Sequence, residues 1–273
     1  MKQDITTYSP SPDSFRVSVL KLFQYKSLIW VFAKRDLKVK YAQTTLGFGW
    51  SIFKPLLGLC IYVFFFGFLL DWRTDNIPYP IYVLSGLLGW NLFSYIIING
   101  VSAVHESSDL IKKIYFPKSL LPLSKTVAGL VEALISLILL IPFLFYYEIT
   151  LSWRFVFLPF IVIFNIMCGL AITFMFAAIS VEKRDLLQVL PFIISMAIWF
   201  TPVFLSADIL PEKFQFIFEF NPIANVIDLW RWLIFDELTF KWHWLITFSL
   251  TALFLIFTFH LYTQREHKFA DIV

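Results

Sequence analysis

Charge is scarce in this chain. Asp, Glu, Lys and Arg together supply 15% of 273 residues, against roughly 25% in an ordinary soluble domain. Cysteine is scarcer still: Cys60 and Cys168 stand far apart, each inside an apolar run. That spacing excludes a disulfide-stapled scaffold and a thiolate metal cluster. The phosphate-cradling pattern G-x-x-x-x-G-K-[ST] is missing, so ATP is not bound here by that route. The four histidines, His105, His243, His260 and His267, are scattered without H-E-x-x-H spacing, and no G-x-S-x-G elbow occurs. A net charge of +3 is too slight to imply a polyanionic partner, and the apolar composition argues against a nucleic-acid-binding domain. No catalytic centre, metal or cofactor is expected within the chain.

Apolar side chains fill the space left by charge. They make up 59% of the residues, with 33 Phe, 10 Trp and 11 Tyr, and the mean hydropathy is +0.76. A water-soluble core of this size cannot hide so much apolar surface, so the bilayer is the expected solvent. A membrane-crossing helix needs ~20 mostly apolar residues to bridge ~30 Å of hydrocarbon. Six segments qualify: about Leu46 to Leu70, Pro80 to Val104, Leu120 to Tyr146, Phe155 to Ser180, Val189 to Ser206 and Trp242 to Tyr262. The fifth is the shortest and holds Pro191 and Pro202, which predicts a kink or a broken end. The expected fold class is therefore an all-α integral membrane protein with six spans.

Orientation follows from Lys and Arg. With both termini inside, seventeen of these residues fall on the cytoplasmic side and five outside: Arg73, Arg154, Lys213, Arg231 and Lys241. Residues 1–14 are polar and hold two prolines, with no apolar stretch of a signal peptide, so no cleavage is expected and this end reads as a floppy tail.

Several segments outside the spans are patterned. In Ser27–Gln43, Ile29, Trp30, Ala33, Leu37 and Tyr41 share one helical face, while Lys34, Arg35 and Lys38 share another; Lys40 breaks the apolar stripe. This suits a helix in the inner interface, serving as a plain anchor or as a docking element. Between spans two and three, Ser108 or Asp109 can cap a short helix that Pro117 stops. It is either an ordinary turn or a piece seated in another subunit. The 181–188 turn reads as a solvated connection with local ion pairs. Between spans five and six, residues 206–220 and 223–235 read as two short amphipathic helices separated by Asn221-Pro222. They form a lid on a pore mouth or an interfacial plug, with Asp228, Arg231, Asp236 and Glu237 keeping one edge wet.

Within the spans, Glu132 stands about twelve residues into the third, with no His or Arg partner nearby in sequence. An ionisable group there faces a wet cavity, or is held protonated or hydrogen-bonded between helices. Tyr62, Trp90, Phe93, Tyr95, Trp199 and Phe200 lie deeper than the interfacial aromatics. Turned inward, such rings offer sliding contacts to the C–H faces of sugars.

Ala33-Lys-Arg-Asp-Leu-Lys-Val-Lys-Tyr41, Gln43-Thr-Thr-Leu-Gly47, Trp50 and Lys54-Pro55-Leu56 follow one another in an order that resembles the membrane subunit of ABC-type polysaccharide exporters. These are the permeases for O-antigen, capsule and teichoic acid. Tyr79–Leu88 with Trp90-Asn91, Leu110–Lys118 with Leu121-Pro122, and Asn221-Pro222 with Arg231 extend the likeness over residues 28–262. The resemblance implies a six-span homodimer in the inner membrane that docks two copies of a separate ATPase, where ATP and magnesium would bind. It implies a lipid-linked polysaccharide as cargo, moving through a channel at the dimer interface. It also implies a division into a 1–26 tail, a 27–44 interface helix, a 45–263 transmembrane domain and a 264–273 cytoplasmic tail. In that scheme Lys34, Arg35, Asp36, Lys38 and Tyr41 belong to the interface helix. Asp109, Leu110, Ile111, Lys112, Lys113, Ile114, Tyr115 and Phe116, within 108–117, form the coupling helix that meets the ATPase. Asn221, Pro222, Asp228, Trp230 and Arg231 belong to outer gate helices in 207–240. An exporter of a drug or lipid with the same fold, or a membrane-embedded glycan-modifying enzyme, are the alternative readings.

Overall fold

The computed structural model describes residues 15–42, 44–70, 77–204, 211–266 and 269, and every regular element among them is helical. Helices α1 (Phe15–Gln24) and α2 (Lys26–Tyr41) precede α3 (Trp50–Tyr62), which continues as a π-helix over Val63–Leu69. Then come α4 (Tyr79–Glu106), α5 (Ser108–Lys113), α6 (Leu120–Tyr146) and α7 (Leu158–Ser180), the last entered through a 3₁₀ turn at Trp153–Phe157. The chain ends with α8 (Leu186–Ala197), a 3₁₀ turn at Ile198–Phe200, α9 (Glu212–Glu219), α10 (Pro222–Ile234) and α11 (His243–Arg265).

Five helical stretches among the described residues are long and apolar enough to cross a membrane: Gly47–Leu69, Tyr79–Glu106, Leu120–Tyr146, Trp153–Ser180 and His243–Arg265. The expected fifth span is shorter. Leu186–Phe200 rises only ~22 Å as helix, and Thr201 turns the backbone extended just before Pro202, which cannot continue a helix. Helices α7 and α11 run parallel: Phe164 meets Phe248, Phe174 meets Phe259, and Arg265 donates to the carbonyl of Ala178. The segment joining them therefore brings the chain back to the level where α7 began.

Helix α4 is the axis of the bundle and packs on α3, α6, α7, α8 and α10. Lipid tails give apolar helices no hydrophobic reason to associate, so close backbone approach through small residues drives packing. A Cβ at Gly100 on α4 would lie 2.6 Å from Thr173 of α7, and one at Gly169 on α7 would lie 2.9 Å from Ile96 of α4. Helix α3 packs on α4 and α6 along one side only, and with its π-helical continuation presents Ile52, Phe53, Leu57, Ile61, Phe64, Phe65 and Phe68 outward.

Three expectations need revision. Residues 15–24, part of the 1–26 tail in the domain division, form α1, which touches α2 and α11; residues 1–14, read as a floppy tail, lie outside the described residues. Phe269, assigned to the C-terminal tail, is 1% exposed and packs edge-on against Tyr262 with ring centres 5.1 Å apart. On α2 the buried face is centred on Phe32 and Ala33, whereas Trp30 is exposed. Phe32 turns inward because Phe116 offers it an edge-to-face ring contact, 5.5 Å between centres.

Candidate functional site

A cavity of about 510 Å³ runs between the end of α2, α3, α4, α6 and α8. Its walls mix rings with hydrogen-bonding groups: Tyr41, Trp50, Tyr62, Trp90 and Tyr95 alternate with Ser51, Asn91, Ser94, Asn99, Ser136 and Ser195. Lys40, Lys54 and Glu132 supply charge. Such a wall suits a hydrated, ring-shaped cargo better than a lipid tail, because rings offer apolar faces and hydroxyls and amides take the polar edges.

The aromatic residues picked out by sequence separate here. Tyr62, Trp90 and Tyr95 border the groove together with Glu132. Phe93 does not: it borders a separate hollow on the α7 and α11 side of α4, with Cys168, Ala171 and Thr251. Trp199 lies at one end of the groove, against Tyr62 and Phe204, while Phe200 is 76% exposed and points away. Phe204 stacks on Tyr62 at 3.8 Å and beside Phe66, so the broken end of α8 and the π-helical end of α3 close that end with rings.

Glu132 has a partner after all. Lys40 on α2, 92 residues away in sequence, donates to its carboxylate. The Tyr41 hydroxyl also donates to Glu132 Oε1 at 2.9 Å and in turn accepts from Ser51. Lys40 Nζ sits 4.7 Å from the centre of the Tyr95 ring. Burial, with Glu132 adding to it, pushes the Tyr41 hydroxyl up to about 12, so it stays a donor. The Lys40 that breaks the apolar stripe of α2 is thus the residue that neutralises the carboxylate in α6.

A second charge cluster ties three helices together nearby. Lys125 on α6, 10% exposed at its side chain, lies 3.1 Å from Asp36 of α2 and 2.7 Å from Glu106 at the end of α4. Glu106 also accepts from Ser102 at 2.6 Å, and Asp36 from Arg35 at 2.8 Å. Lys34, Arg35 and Lys38 remain on the exposed face of α2, as the periodicity predicts.

Segment 108–117 forms the short helix α5 followed by an extended stretch. Ile111 and Phe116 are buried, 8% and 3% exposed, and share a core with Phe32 and Leu120. They are structural members of the segment and are not free to meet another protein. Asp109, Lys112, Lys113, Ile114 and Tyr115 are exposed, and Leu110 is half-buried. The segment is fastened at its far end by the C-terminus: Lys118 donates its backbone N–H to the Glu266 carboxylate and its ammonium to the Glu266 carbonyl at 2.9 Å. The Tyr262 hydroxyl donates to the Lys118 carbonyl at 3.2 Å.

At the other end of the bundle, the second amphipathic piece departs most from expectation. Helix α10 is buried along its length, packed on α4, α7 and α11. Asn221 caps it, accepting from the Ile223 N–H at 3.1 Å, and Pro222 occupies its first turn. Trp230 is 3% exposed against Gly89. Arg231, expected on a wet edge, is also 3% exposed. Its guanidinium donates to the carbonyls of Pro202 and Val203, which the broken end of α8 leaves without helical partners. Asp228 lies 3.7 Å from it and 3.6 Å from Lys241. Arg154 donates to the carbonyl of Trp232 in the last turn of α10 and to those of Phe235 and Leu238 just beyond it, at 2.9–3.1 Å.

Residues 27–235 match the family model described as ABC-2 type transporter. The chain is similar to an O-antigen export system permease protein RfbA of Klebsiella pneumoniae, 29% identical over 90% of this chain and 95% of that one. The same-named protein of Myxococcus xanthus is 29% identical over 80% of this chain and 84% of its own length. Polysialic acid transport protein KpsM of Escherichia coli is 25% identical over 72% of this chain and 77% of its own.

Proposed function

The chain belongs to the ABC-2 type transporter family, and from that premise we propose that it is the transmembrane subunit of an ATP-driven exporter of a lipid-linked polysaccharide. It is a permease homologous to O-antigen and polysialic acid export permeases. The observation that carries the reading to this chain is the groove itself: an aromatic and hydroxyl-lined cavity flanked by helices α3 and α8, whose outward residues are largely apolar.

In this reading the groove is half of a channel. Helices α3 and α8 flank it and turn Ile52, Phe53, Phe192 and Met196 outward, an apolar rim that a second copy of the chain would cover. The chain crosses the inner membrane six times with both termini cytoplasmic, α8 and the segment after it making the fifth crossing. The excess of Lys and Arg on that side supports the orientation.

The chain itself is not an enzyme. ATP and magnesium bind to two copies of a separate ATPase, which meets the exposed residues of α5 and its extension, Lys112, Lys113, Ile114 and Tyr115. Motion there reaches α2 through the Phe32–Phe116 contact and the Asp36–Lys125–Glu106 cluster. Ligand-driven motion requires that the ATPase contact the two states of the permease differently, and an exposed apolar–basic segment anchored at both ends suits such a lever. On the outer side, Asn221, Pro222, Asp228, Trp230 and Arg231 hold α10 as the fixed wall of the gate.

The test is complementation. A cell that makes a lipid-linked O-polysaccharide but lacks its own permease should display surface glycan when given this chain with its ATPase, and intracellular glycan when given either alone. Surface glycan that does not depend on this chain would remove the proposal.

A further inference from the structure

We infer that the Lys40–Glu132 pair is a latch across the groove, carried by α2 and released when that helix moves. The inference rests on the exporter reading for what passes once the latch opens.

Helix α2 is fastened to the bundle in two different ways. Around Phe32 and Ala33 it is buried, and Asp36 meets Lys125 with both side chains nearly out of water, 13% and 10% exposed. One turn further on, Lys40 and Glu132 are 35% and 24% exposed and line the groove. A pair held away from water is expensive to part, because nothing replaces the lost partner; a pair at a hydrated wall exchanges its partner for water at small cost. Rocking α2 therefore pivots on Phe32 and Asp36 and parts Lys40 from Glu132 first. Past Tyr41 the chain leaves α2 by a turn, with Gly47 at φ 50°, so no continuous helix ties Lys40 to α3.

The position of the pair makes it a barrier. Along α4, Asn91, Tyr95 and Asn99 lie in order toward Glu106 and α5, and all three line the groove. Lys40 reaches from α2 to α6 beside the Tyr95 ring. A solute travelling along α4 from the α5 end meets this bridge, beside Tyr95, one turn before Asn91. Tyr41 and Ser51 steady it, because both hydroxyls lead to the same carboxylate.

The test reads access to the groove directly. In a chain with Cys60 and Cys168 replaced by Ala, Asn91→Cys is labelled by a charged methanethiosulfonate in inside-out vesicles, without ATP. The latch predicts slow labelling that becomes several-fold faster with Glu132→Gln or Lys40→Met. The reciprocal exchange, Lys40→Glu with Glu132→Lys, should return it to the slow rate. Equal rates in the parent and both single variants overturn the latch, as does a fast rate in the exchange. If a neutralised variant does not accumulate in the membrane, the exchange decides alone: slow supports the latch and fast overturns it. Export measured in the same strains separates the two proposals. Export with labelling indifferent to both charges removes the latch only; labelling as expected without export removes only the exporter reading.

Discussion

Arg231 on α10 holds its guanidinium carbon 3.6 Å from the centre of the Tyr82 ring on α4. The same guanidinium takes the carbonyls freed where α8 breaks. One cation thus seals three elements at the end of the groove away from α5. Arg231→Met keeps the length and removes the donors, leaving buried carbonyls unmet. We expect a loss of about 2–4 kcal/mol, measured as apparent stability in detergent. Arg231→Lys recovers only part of it, because an ammonium lacks the flat face that lies on Tyr82.

Gly86 explains how Arg231 and the end of α8 come so near α4. A Cβ there would lie 2.9 Å from the Val203 carbonyl oxygen, a backbone atom with little room to move. Gly86→Ala should therefore destabilise by about 1–3 kcal/mol. Gly58 on α3 is the control: its nearest neighbour would be a Tyr62 ring atom at 3.9 Å. Gly58→Ala should leave thermal unfolding unchanged.

Exposure divides the coupling segment into two kinds of residue. Ile114→Asp and Tyr115→Asp alter the outer surface and should abolish co-purification with the ATPase while leaving thermal stability intact. Ile111→Asp puts a carboxylate among Phe32, Phe116 and Leu120, and should lower stability by several kcal/mol. Equal thermal stability for all three variants would contradict this division.

The C-terminal residues clamp the far end of that segment. Phe269→Ala removes a ring that is 1% exposed, a change of about 3–5 kcal/mol in a well-packed core. Because Glu266 holds Lys118, the first effect should be local. Amide hydrogen exchange should quicken at Ile114, Tyr115 and Lys118 before it quickens in α4.

The crossing helices were readable because a run of some twenty apolar residues has little other use. Segment 108–117 is readable as a short helix, but its ends are not: the N-cap position is Ser107, without a side-chain cap hydrogen bond, rather than Ser108 or Asp109, and the backbone turns extended at Ile114, ahead of Pro117. What sequence hides is pairing across distance. Lys40 looked like a flaw in an amphipathic stripe, and Glu132 like a lone carboxylate, because their 92-residue separation carries no periodic signal. Helix α10 misled for a related reason: an arginine reads as a wet edge unless the carbonyls that take it up are known, and those belong to the broken end of α8. Phe32 falls outside the apolar stripe of α2 and turns inward only because Phe116, on another element, receives it. Of the deep aromatics, Phe93 went to the core and Tyr95 to the groove, and composition alone does not distinguish the two sides of α4.

The most direct test of the whole account is transport by the purified chain in sealed proteoliposomes loaded with a fluorescent lipid-linked glycan. With its ATPase partner and magnesium–ATP, the glycan should appear on the opposite face; with the chain alone there should be neither ATP hydrolysis nor movement. Hydrolysis of ATP, or ATP-driven movement of glycan, by the chain without its partner would contradict the account.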